Sequence, residues 1–327
     1  MTKIEELINV SKEKISRILL LWFYFFTVNK KRLIENVVWE YSVSQTIRYI
    51  AIFTASLIVP YYFRLLLKRV RGMRRAKINQ IQSNVEGEHL ILGRRFYLPA
   101  EIPLHAVSEM YEDVFGHPSW NGHCYEDLSC AISPDSIVID IGASEGFFVQ
   151  LALIRNAGKV IAFEPVPNMY VSLLKTFLSE IAEGTVVIEN FAVGEGLGEE
   201  KLYIDRNYLG STFCESNLNE KRGSIPCNIM SIDKYYGNHP DLWSCDFIKI
   251  DAEGWEEKIL VGAQSTIRKY KPKLSIAIYH NPEQAKNCAN ILKDFGIPYQ
   301  MHLRGLSFSS HNGRVVLTPQ ILKAVPS

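Results

Sequence analysis

An acidic residue, a glycine turn and a second acidic residue follow one another at the spacing of a nucleoside site. Asp140 comes just before Gly142 and Gly146, and Glu164 ends the next apolar run, 22 residues after Gly142. Glycine lets the backbone approach a ligand closely, and a carboxylate at this distance can accept hydrogen bonds from both hydroxyls of a ribose. Asp140 can face the ammonium group of a ligand. These residue types predict a site for a nucleoside joined to an amino acid.

The same glycine turn selects against a ligand that carries a pyrophosphate. Its spacing is D-x-G-x-x-x-G and not the G-x-G-x-x-G of dinucleotide sites, so no close-packed pyrophosphate cradle is expected at the helix start. An acid beside the turn repels phosphate and attracts an ammonium group. The combination favours S-adenosylmethionine over NAD as the cofactor.

Three other polar residues are candidates for catalysis, because each stands at the carboxyl end of a predicted strand, where ligands bind. His280 is the first candidate for a general base, since the ordinary pKa of imidazole lies near the working pH; a structural histidine at a strand end is the alternative. Asp251 and Glu253 could instead hold a divalent ion that polarises a hydroxyl, or cap the helix that begins at Trp255. Two acids do not make a metal site, and we assign no metal ligands.

Small residues after a further predicted strand could pack against an adenine ring. Asn190 ends that strand, and Ala192 and Val193 follow it before Gly194. A plain loop shaped by Asn190 and Gly194 explains the same residues equally well.

The elements that would position these residues alternate between strands and helices. From about Gly87 onward, short apolar runs alternate with helical patterns, which predicts a parallel sheet covered by helices. The clearest unit is a buried strand at Ile137–Ile141, a turn at 142–146, a helix after the turn and a strand at Lys159–Phe163. Further strands are expected at 185–190, 201–205, 225–230, 247–250, 273–279, 299–303 and 314–318, and further helices over 170–181, after 255 and over 285–295.

Five motifs in this order carry a resemblance to a known family. VIDIGASEGFF, VIAFEP, NFAVGE, SIDKYY and IKIDAEGWEEKILVGA, spread over roughly residues 98–317, resemble the FkbM-type family of S-adenosylmethionine-dependent methyltransferases. The resemblance implies a Rossmann-like, seven-stranded class I methyltransferase sheet with the last strand antiparallel, and usually O-methylation of sugar or polyketide hydroxyls. By position it implies a methionine-side loop, a ribose ligand and two adenine neighbours, which are Asp140, Gly142, Ala143 and Gly146, then Glu164, then Ala192 and Val193. Ser144 lies inside the loop and is assigned to the cofactor site with it.

The N-terminal quarter differs from the rest of the chain in charge and in hydropathy. Residues 1–80 hold 15 Lys and Arg against 5 Asp and Glu, whereas the remainder holds 21 against 30. Apolar runs at 18–28 and 47–67 are followed by six cations within residues 68–77, a pattern typical of contact with anionic lipid that would leave the C-terminal remainder of the chain in the cytoplasm. We expect a helical segment at 1–83 that is a candidate membrane anchor, with membrane contact through residues 18–77. The catalytic domain is expected at 84–327, in the cytoplasm. An interfacial helix, one spanning helix and a helical subdomain packed on the catalytic domain of a purely cytoplasmic protein remain alternatives.

The sequence therefore predicts an O-methyltransferase that acts on a glycan, a lipid-linked sugar or a similar small acceptor, with no nucleic-acid partner. A nicotinamide-dependent enzyme and a membrane-tethered, non-catalytic protein of the same fold are the alternatives. The six cysteines contain no C-x-x-C pair, which argues against a structural zinc site and for a reducing compartment.

Overall fold

The computed structural model describes residues 37–39, 82–83, 87–116, 121–215, 221–281, 283–311 and 314–327 of the 327-residue chain. Of the predicted helical anchor segment at 1–83, the structure describes residues 37–39 and 82–83, which are strands. Its apolar runs at 18–28 and 47–67 and its basic run at 68–77 lie outside the described residues. Among the residues described, no helix is long and apolar enough to cross a membrane.

The described part of the chain contains fourteen strands and eight helices. In chain order they are β1 (Val37–Trp39), β2 (Gln82–Ser83), β3 (Glu88–Ile91), β4 (Arg94–Tyr97), α1 (Leu104–Phe115), β5 (Ile137–Ile141), α2 (Phe147–Ile154), β6 (Lys159–Phe163), α3 (Pro167–Thr176), α4 (Leu178–Ala182), β7 (Val186–Glu189), β8 (Ala192–Val193), β9 (Gly198–Asp205), β10 (Lys221–Met230), α5 (Ile232–Asn238), β11 (Phe247–Ile250), α6 (Glu256–Gly262), α7 (Gln264–Tyr270), β12 (Lys273–Ala277), α8 (Gln284–Asp294), β13 (Tyr299–His311) and β14 (Arg314–Pro326).

The central sheet has the strand order β1-β13-β14-β12-β11-β5-β6-β7. The five strands from β12 to β7 run parallel, and β14 runs antiparallel between β12 and β13. This is the predicted seven-stranded methyltransferase-type sheet with its last strand antiparallel, and the three-residue β1 extends one edge. Two small sheets, β8-β10-β9 and β2-β3-β4, complete the described strands.

The parallel strands form where the sequence is apolar on both sides of the strand. β5 and β11 are buried at every position, as expected for parallel strands that are covered by helices on both faces. The strand order reverses between β5 and β11, with β6 and β7 on one side and β12 on the other. A crevice at the carboxyl ends of the strands is expected at such a reversal, and ligands bind there.

Two predicted elements differ from the structure in their extent. The apolar stripe predicted one helix over 170–181, but the helix breaks at Phe177, whose fully buried ring packs edge-on against Phe96. The last strand runs on to Pro326, and Tyr299 pairs with that residue, so residues 314–318 pair with 307–311 and not with 299–303. Both strands extend well beyond their apolar runs, so the pairing includes residues that the apolar pattern did not indicate.

A buried ion pair joins the two strands at the crevice. Lys249 of β11 lies opposite Asp140 of β5 in the parallel register, and its Nζ atom is 3.0 Å from Oδ1 of Asp140. The side chains are 5% and 0% exposed. Lys249 also donates a 2.5 Å hydrogen bond to the carbonyl oxygen of Gly142, the first residue of the turn after β5. The ammonium group therefore holds both the strand and the start of the turn.

Replacing Lys249 with methionine should destabilise the protein strongly, because the Asp140 charge would remain buried without a partner. We expect the free energy of unfolding, measured by chemical denaturation, to fall by about 3–5 kcal/mol. Adding Asp140→Asn to Lys249→Met removes the unpaired charge and should recover part of this loss. The exposed Lys175→Met is the matched control, and it should change stability by no more than about 0.5 kcal/mol. An unchanged stability in Lys249→Met would contradict the importance of the pair.

Candidate active site

A cleft lies at the carboxyl ends of β5, β6 and β11, where the strand order reverses. Eight of the residues predicted from the sequence line it together: Gly142, Ala143, Ser144, Glu164, Ala192, Val193, Asp251 and Glu253. The other four predicted site residues, which do not line the cleft, are Asp140, Gly146, Asn190 and His280. The sequence patterns thus identified residues that line the same cleft.

The turn after β5 can be formed only with glycine at its first position. Gly142 has φ +76°, and a Cβ atom on it would lie 1.9 Å from the carbonyl oxygen of Asp251. Gly146 has φ +85° at the start of α2, where a Cβ atom would lie 2.6 Å from the ring of Phe177. Both glycines are therefore required by the backbone. Gly142 brings the turn against the end of β11, whereas Gly146 shapes the turn from outside the cleft.

The Glu164 carboxylate is held in place by two backbone groups. One oxygen accepts a 2.8 Å hydrogen bond from the amide of Ser144, and the other accepts one of 2.8 Å from the amide of Val166. Burial raises the pKa of Glu164 to about 7, although both amide donors favour the charged form. Each carboxylate oxygen has a second lone pair, so the fixed group can still accept hydrogen bonds from a ligand in the cleft.

A second buried acid makes the cleft unfavourable for phosphate. The side chain of Glu145 lines the cleft beside Ser144, and burial raises its pKa to about 7. A pyrophosphate would lie close to these two acids, and above about pH 7, where they are ionised, like charges in a poorly solvated site repel strongly. The cleft suits a ligand with hydroxyl donors and a positive charge.

Two predicted cofactor residues have other partners in the structure. Asp140 lies below the cleft, paired with Lys249, and does not line the ligand space. Asn190 donates hydrogen bonds to the carbonyl oxygens of Glu164 at 2.8 Å and Pro165 at 3.3 Å. Both residues therefore position the ligand-lining groups; any direct contact between Asp140 and a ligand ammonium remains a prediction.

Asp251 is the centre of a polar cluster at the other end of the cleft. Its carboxylate accepts a short hydrogen bond from the hydroxyl of Tyr125 and a longer one, of 3.3 Å, from the hydroxyl of Tyr279. Burial opposes its ionisation, but the positive charges of His280 and Lys249 hold its pKa below the ordinary value. Asp251 is therefore ionised where it faces the cleft.

His280 lies behind the two acids. Its Nε2 atom is 3.5 Å from Oδ1 of Asp251 and 3.4 Å from Oε2 of Glu253, and its Nδ1 atom is 3.1 Å from Oε1 of Glu256. Burial opposes the charge, but these carboxylates raise the pKa of His280 to about 11. A protonated imidazole has no lone pair with which to accept a proton, so this arrangement does not suit the predicted role of general base.

A second histidine, which the sequence pattern did not single out, lines the cleft. His123 has its Nε2 atom 3.1 Å from the hydroxyl of Tyr125 and 3.9 Å from Oδ2 of Asp251, and its Nδ1 atom 3.6 Å from Oδ2 of Asp113. Burial lowers its pKa, so the ring is neutral near pH 7. No apolar run precedes His123, and the strand-end pattern therefore cannot find it.

Other site residues also lack a clear sequence signal. Lys249 could have been found, because a lysine inside the apolar run Phe247–Ile250 is unusual unless it has a buried partner. Tyr125 and Tyr279 carry no such signal, since a tyrosine in a buried segment is more often part of the core.

Comparisons with known proteins bear on this site. The family model described as the methyltransferase FkbM domain matches residues 140–304, just over half of the chain. No curated protein matches the sequence. The structure of an FkbM methyltransferase from Methylobacillus flagellatus is 18% identical over 78% of this chain, with a TM-score of 0.40, and the match covers 59% of that protein's length.

Two other solved structures resemble parts of the chain. A precorrin-6y C5,15-methyltransferase from Geobacter metallireducens is 14% identical and covers 61% of this chain and 83% of its own, with a TM-score of 0.35. A SAM-dependent O-methyltransferase from Thermotoga maritima is 10% identical and covers 60% of each chain, with a TM-score of 0.34.

The raised pKa of Glu145 predicts a pH-dependent effect of its substitution on stability. An acid whose pKa rises from 4.5 to about 7 on folding contributes stability below pH 4.5 and loses it as the pH rises through 7. Glu145→Gln removes the cost of burying the charge. It should increase the free energy of unfolding at pH 8 by up to about 3 kcal/mol and leave it nearly unchanged at pH 4.5.

Denaturation at both pH values measures the difference. The exposed Glu109→Gln is the control, and it should have no comparable effect at either pH. A gain of the same size at pH 4.5 and pH 8 would show that the effect has a cause other than the buried charge.

Proposed function

The chain belongs to the FkbM methyltransferase family, and we propose that it transfers the methyl group of S-adenosylmethionine to a hydroxyl of a glycan, a lipid-linked sugar or a similar small acceptor. The observation that carries the cofactor part of this proposal is the buried Glu164 carboxylate, fixed by two backbone amides beside a turn that requires glycine. This arrangement offers hydrogen-bond acceptors for a ribose, and the neighbouring buried Glu145 disfavours a phosphate.

The cofactor would lie along the wall that the sequence identified. Gly142, Ala143 and Ser144 form its turn, and Glu164 would accept hydrogen bonds from the ribose hydroxyls. Further along the cleft, the small apolar Ala192 and Val193 offer a surface for an adenine ring. When bound, S-adenosylmethionine supplies an activated methyl group on a positively charged sulfur.

The task left to the protein is to orient the acceptor hydroxyl and to remove its proton. His123 lines the cleft and is neutral near pH 7 because burial lowers its pKa. With Nε2–H donating to the oxygen of Tyr125, the lone pair of Nδ1 is left to accept the proton. The imidazolium that forms would be stabilised by the carboxylates of Asp113 and Asp251, both within 4 Å of the ring. His123 is accordingly the general base of the proposal.

Features on the remaining side of the cleft favour a sugar acceptor. The rings of Phe213 and Trp255 pack against each other with their centroids 4.5 Å apart, and both residues line the cleft, as do Ser211 and Tyr208. Aromatic faces with a few polar groups are typical of small-molecule sites. The basic and apolar pattern of residues 18–77 supports an acceptor attached to lipid.

Glu164→Ala should weaken the binding of S-adenosylhomocysteine ten- to a hundredfold, because hydrogen bonds to a charged acceptor in a poorly solvated site contribute on the order of 1.5–3 kcal/mol. Isothermal titration calorimetry on the full chain measures this, with the exposed Glu183→Ala as control and circular dichroism to confirm folding. NADH should show no heat of binding. Binding of NADH without binding of S-adenosylhomocysteine would replace the proposal with a nicotinamide enzyme.

His123→Gln should lower methyl transfer by roughly a hundredfold or more, the usual contribution of a general base, while leaving the affinity for S-adenosylhomocysteine unchanged. The assay follows labelled methyl from S-adenosylmethionine into free and lipid-linked sugars. A methyl ether on a hydroxyl resists alkali, whereas a methyl ester is hydrolysed, so the product identifies the methylated group. His105→Gln, on the exposed side of α1, is the control. Full activity in His123→Gln would exclude it as the base.

A further inference from the structure

Three ligand-type side chains converge at the end of the cleft nearest β12. One atom each from Asp251, Glu253 and His280 can be chosen so that all three lie within 4.8 Å of one another. Asp251 and Glu253 line the cleft, with side chains 15% and 34% exposed, and His280 closes the cluster from behind with a side chain 7% exposed. An ion could therefore enter from the cleft and meet a buried nitrogen.

The Nε2 atom of His280 is buried without a well-formed hydrogen bond. Nδ1 faces Glu256 at 3.1 Å, so Nε2 is the nitrogen that faces Asp251 and Glu253. The distances from Nε2 to Asp251 and Glu253, 3.5 and 3.4 Å, exceed the roughly 2.7–2.9 Å of a hydrogen bond between a charged nitrogen and a carboxylate. A buried polar group without a partner is costly. We therefore expect a bound ligand between this ring nitrogen and the two carboxylates.

The spacing of these atoms fits coordination to a common metal ion. Metal–nitrogen and metal–oxygen distances of about 2.0–2.2 Å in a tetrahedral site place neighbouring ligand atoms about 3.3–3.6 Å apart. The two distances from Nε2 of His280 fall inside that interval. One imidazole and two carboxylates suit zinc and its neighbours, whereas magnesium prefers oxygen ligands alone.

Glu256 and Gln284 fix the two segments that carry the three ligand-type side chains. The fully buried Glu256 accepts hydrogen bonds from the amides of Ala252 at 2.9 Å and Gly254 at 3.4 Å, which fixes the segment that carries Asp251 and Glu253. Its other oxygen accepts a short hydrogen bond from the side chain of Gln284.

Gln284 in turn accepts a 3.1 Å hydrogen bond from the backbone amide of His280. Glu256 also lies 3.1 Å from Nδ1 of His280, and a carboxylate behind a histidine in this way is a common support of metal ligands.

We propose that Asp251, Glu253 and His280 bind one divalent ion of the zinc type, with the open side of the ion facing the cleft. The ion takes the place of the proton on Nε2 of His280, which is released when the metal binds, and its two positive charges then balance the carboxylates of Asp251 and Glu253. Its role rests on the proposed function: a cation at this place would hold the acceptor hydroxyl and make its proton more acidic, which would ease the transfer of that proton to His123.

Cobalt(II) is the probe for this site, because it replaces zinc and absorbs visible light when it is coordinated. The full chain is first treated with a chelator and then titrated with Co²⁺ in the absence of S-adenosylmethionine. We expect one equivalent to bind, with the intense visible bands of tetrahedral or five-coordinate cobalt, and Zn²⁺ to displace it. A thiolate-to-cobalt band in the near ultraviolet would place the ion on cysteine and would overturn the proposal.

His280→Ala, Asp251→Asn and Glu253→Gln should each weaken Co²⁺ binding at least tenfold and remove the visible bands. The exposed Glu283→Gln, close to His280 in sequence, should bind cobalt as the wild type does. Circular dichroism establishes that each variant is folded, and Glu253→Gln, at the most exposed ligand, is the one expected to disturb the fold least. Absence of stoichiometric binding by the wild type, or equal binding by a folded Glu253→Gln and His280→Ala, refutes the site.

The metal site and the methyl transfer can fail separately. Stoichiometric cobalt binding that depends on the three residues, in a protein that does not bind S-adenosylhomocysteine, would support the metal site and refute the proposed function. Methyl transfer that survives complete removal of metal, in a protein without a cobalt spectrum, would refute the metal site and leave the proposed function standing.

Discussion

The ammonium group of Lys249 lies inside the central sheet, between the carboxylate of Asp140 and the carbonyl oxygen of Gly142. A charge at this depth is tolerated only because it is paired, and the pairing fixes the two strands on which the cleft depends. Gly142 is thereby held against the carbonyl of Asp251, closer than any side chain would permit. Ser144, two residues on, then has its amide in place to bind Glu164. The positions of the residues that line the ligand wall therefore depend on this one buried ion pair.

The two ends of the cleft differ in their electrostatics. At one end, Glu145 and Glu164 are buried carboxylates with raised pKa values, and the backbone rather than a cation holds Glu164. At the other end, Asp251 is ionised among histidines and tyrosines. The first environment suits hydroxyl donors and a positive charge, and the second suits a group that must lose a proton. The proposed transfer of a methyl group to a hydroxyl requires both environments side by side.

The two histidines at this end differ in their protonation, and the sequence pattern singled out only His280. His280 is buried behind acids that favour its positive form, so it suits a structural charge, or, once it releases its proton, the proposed metal ion. His123 lines the cleft, and there the effect of burial on its pKa outweighs that of the nearby Asp251, so its ring is neutral. Burial and the neighbouring charges therefore set the different protonation of two chemically identical side chains.

The sequence by itself determined the parallel strands, the glycine turn and the acid at the end of β6, because apolar runs and the spacing of Asp140, Gly142 and Glu164 are local properties of the chain. It also indicated the family through motifs spread over residues 98–317. Only the tertiary structure decided that Lys249 neutralises Asp140, that His123 joins the site from a segment without a strand pattern, and that the last hairpin is paired through to its end. These features depend on contacts between residues far apart in sequence, and on burial, which no local pattern records.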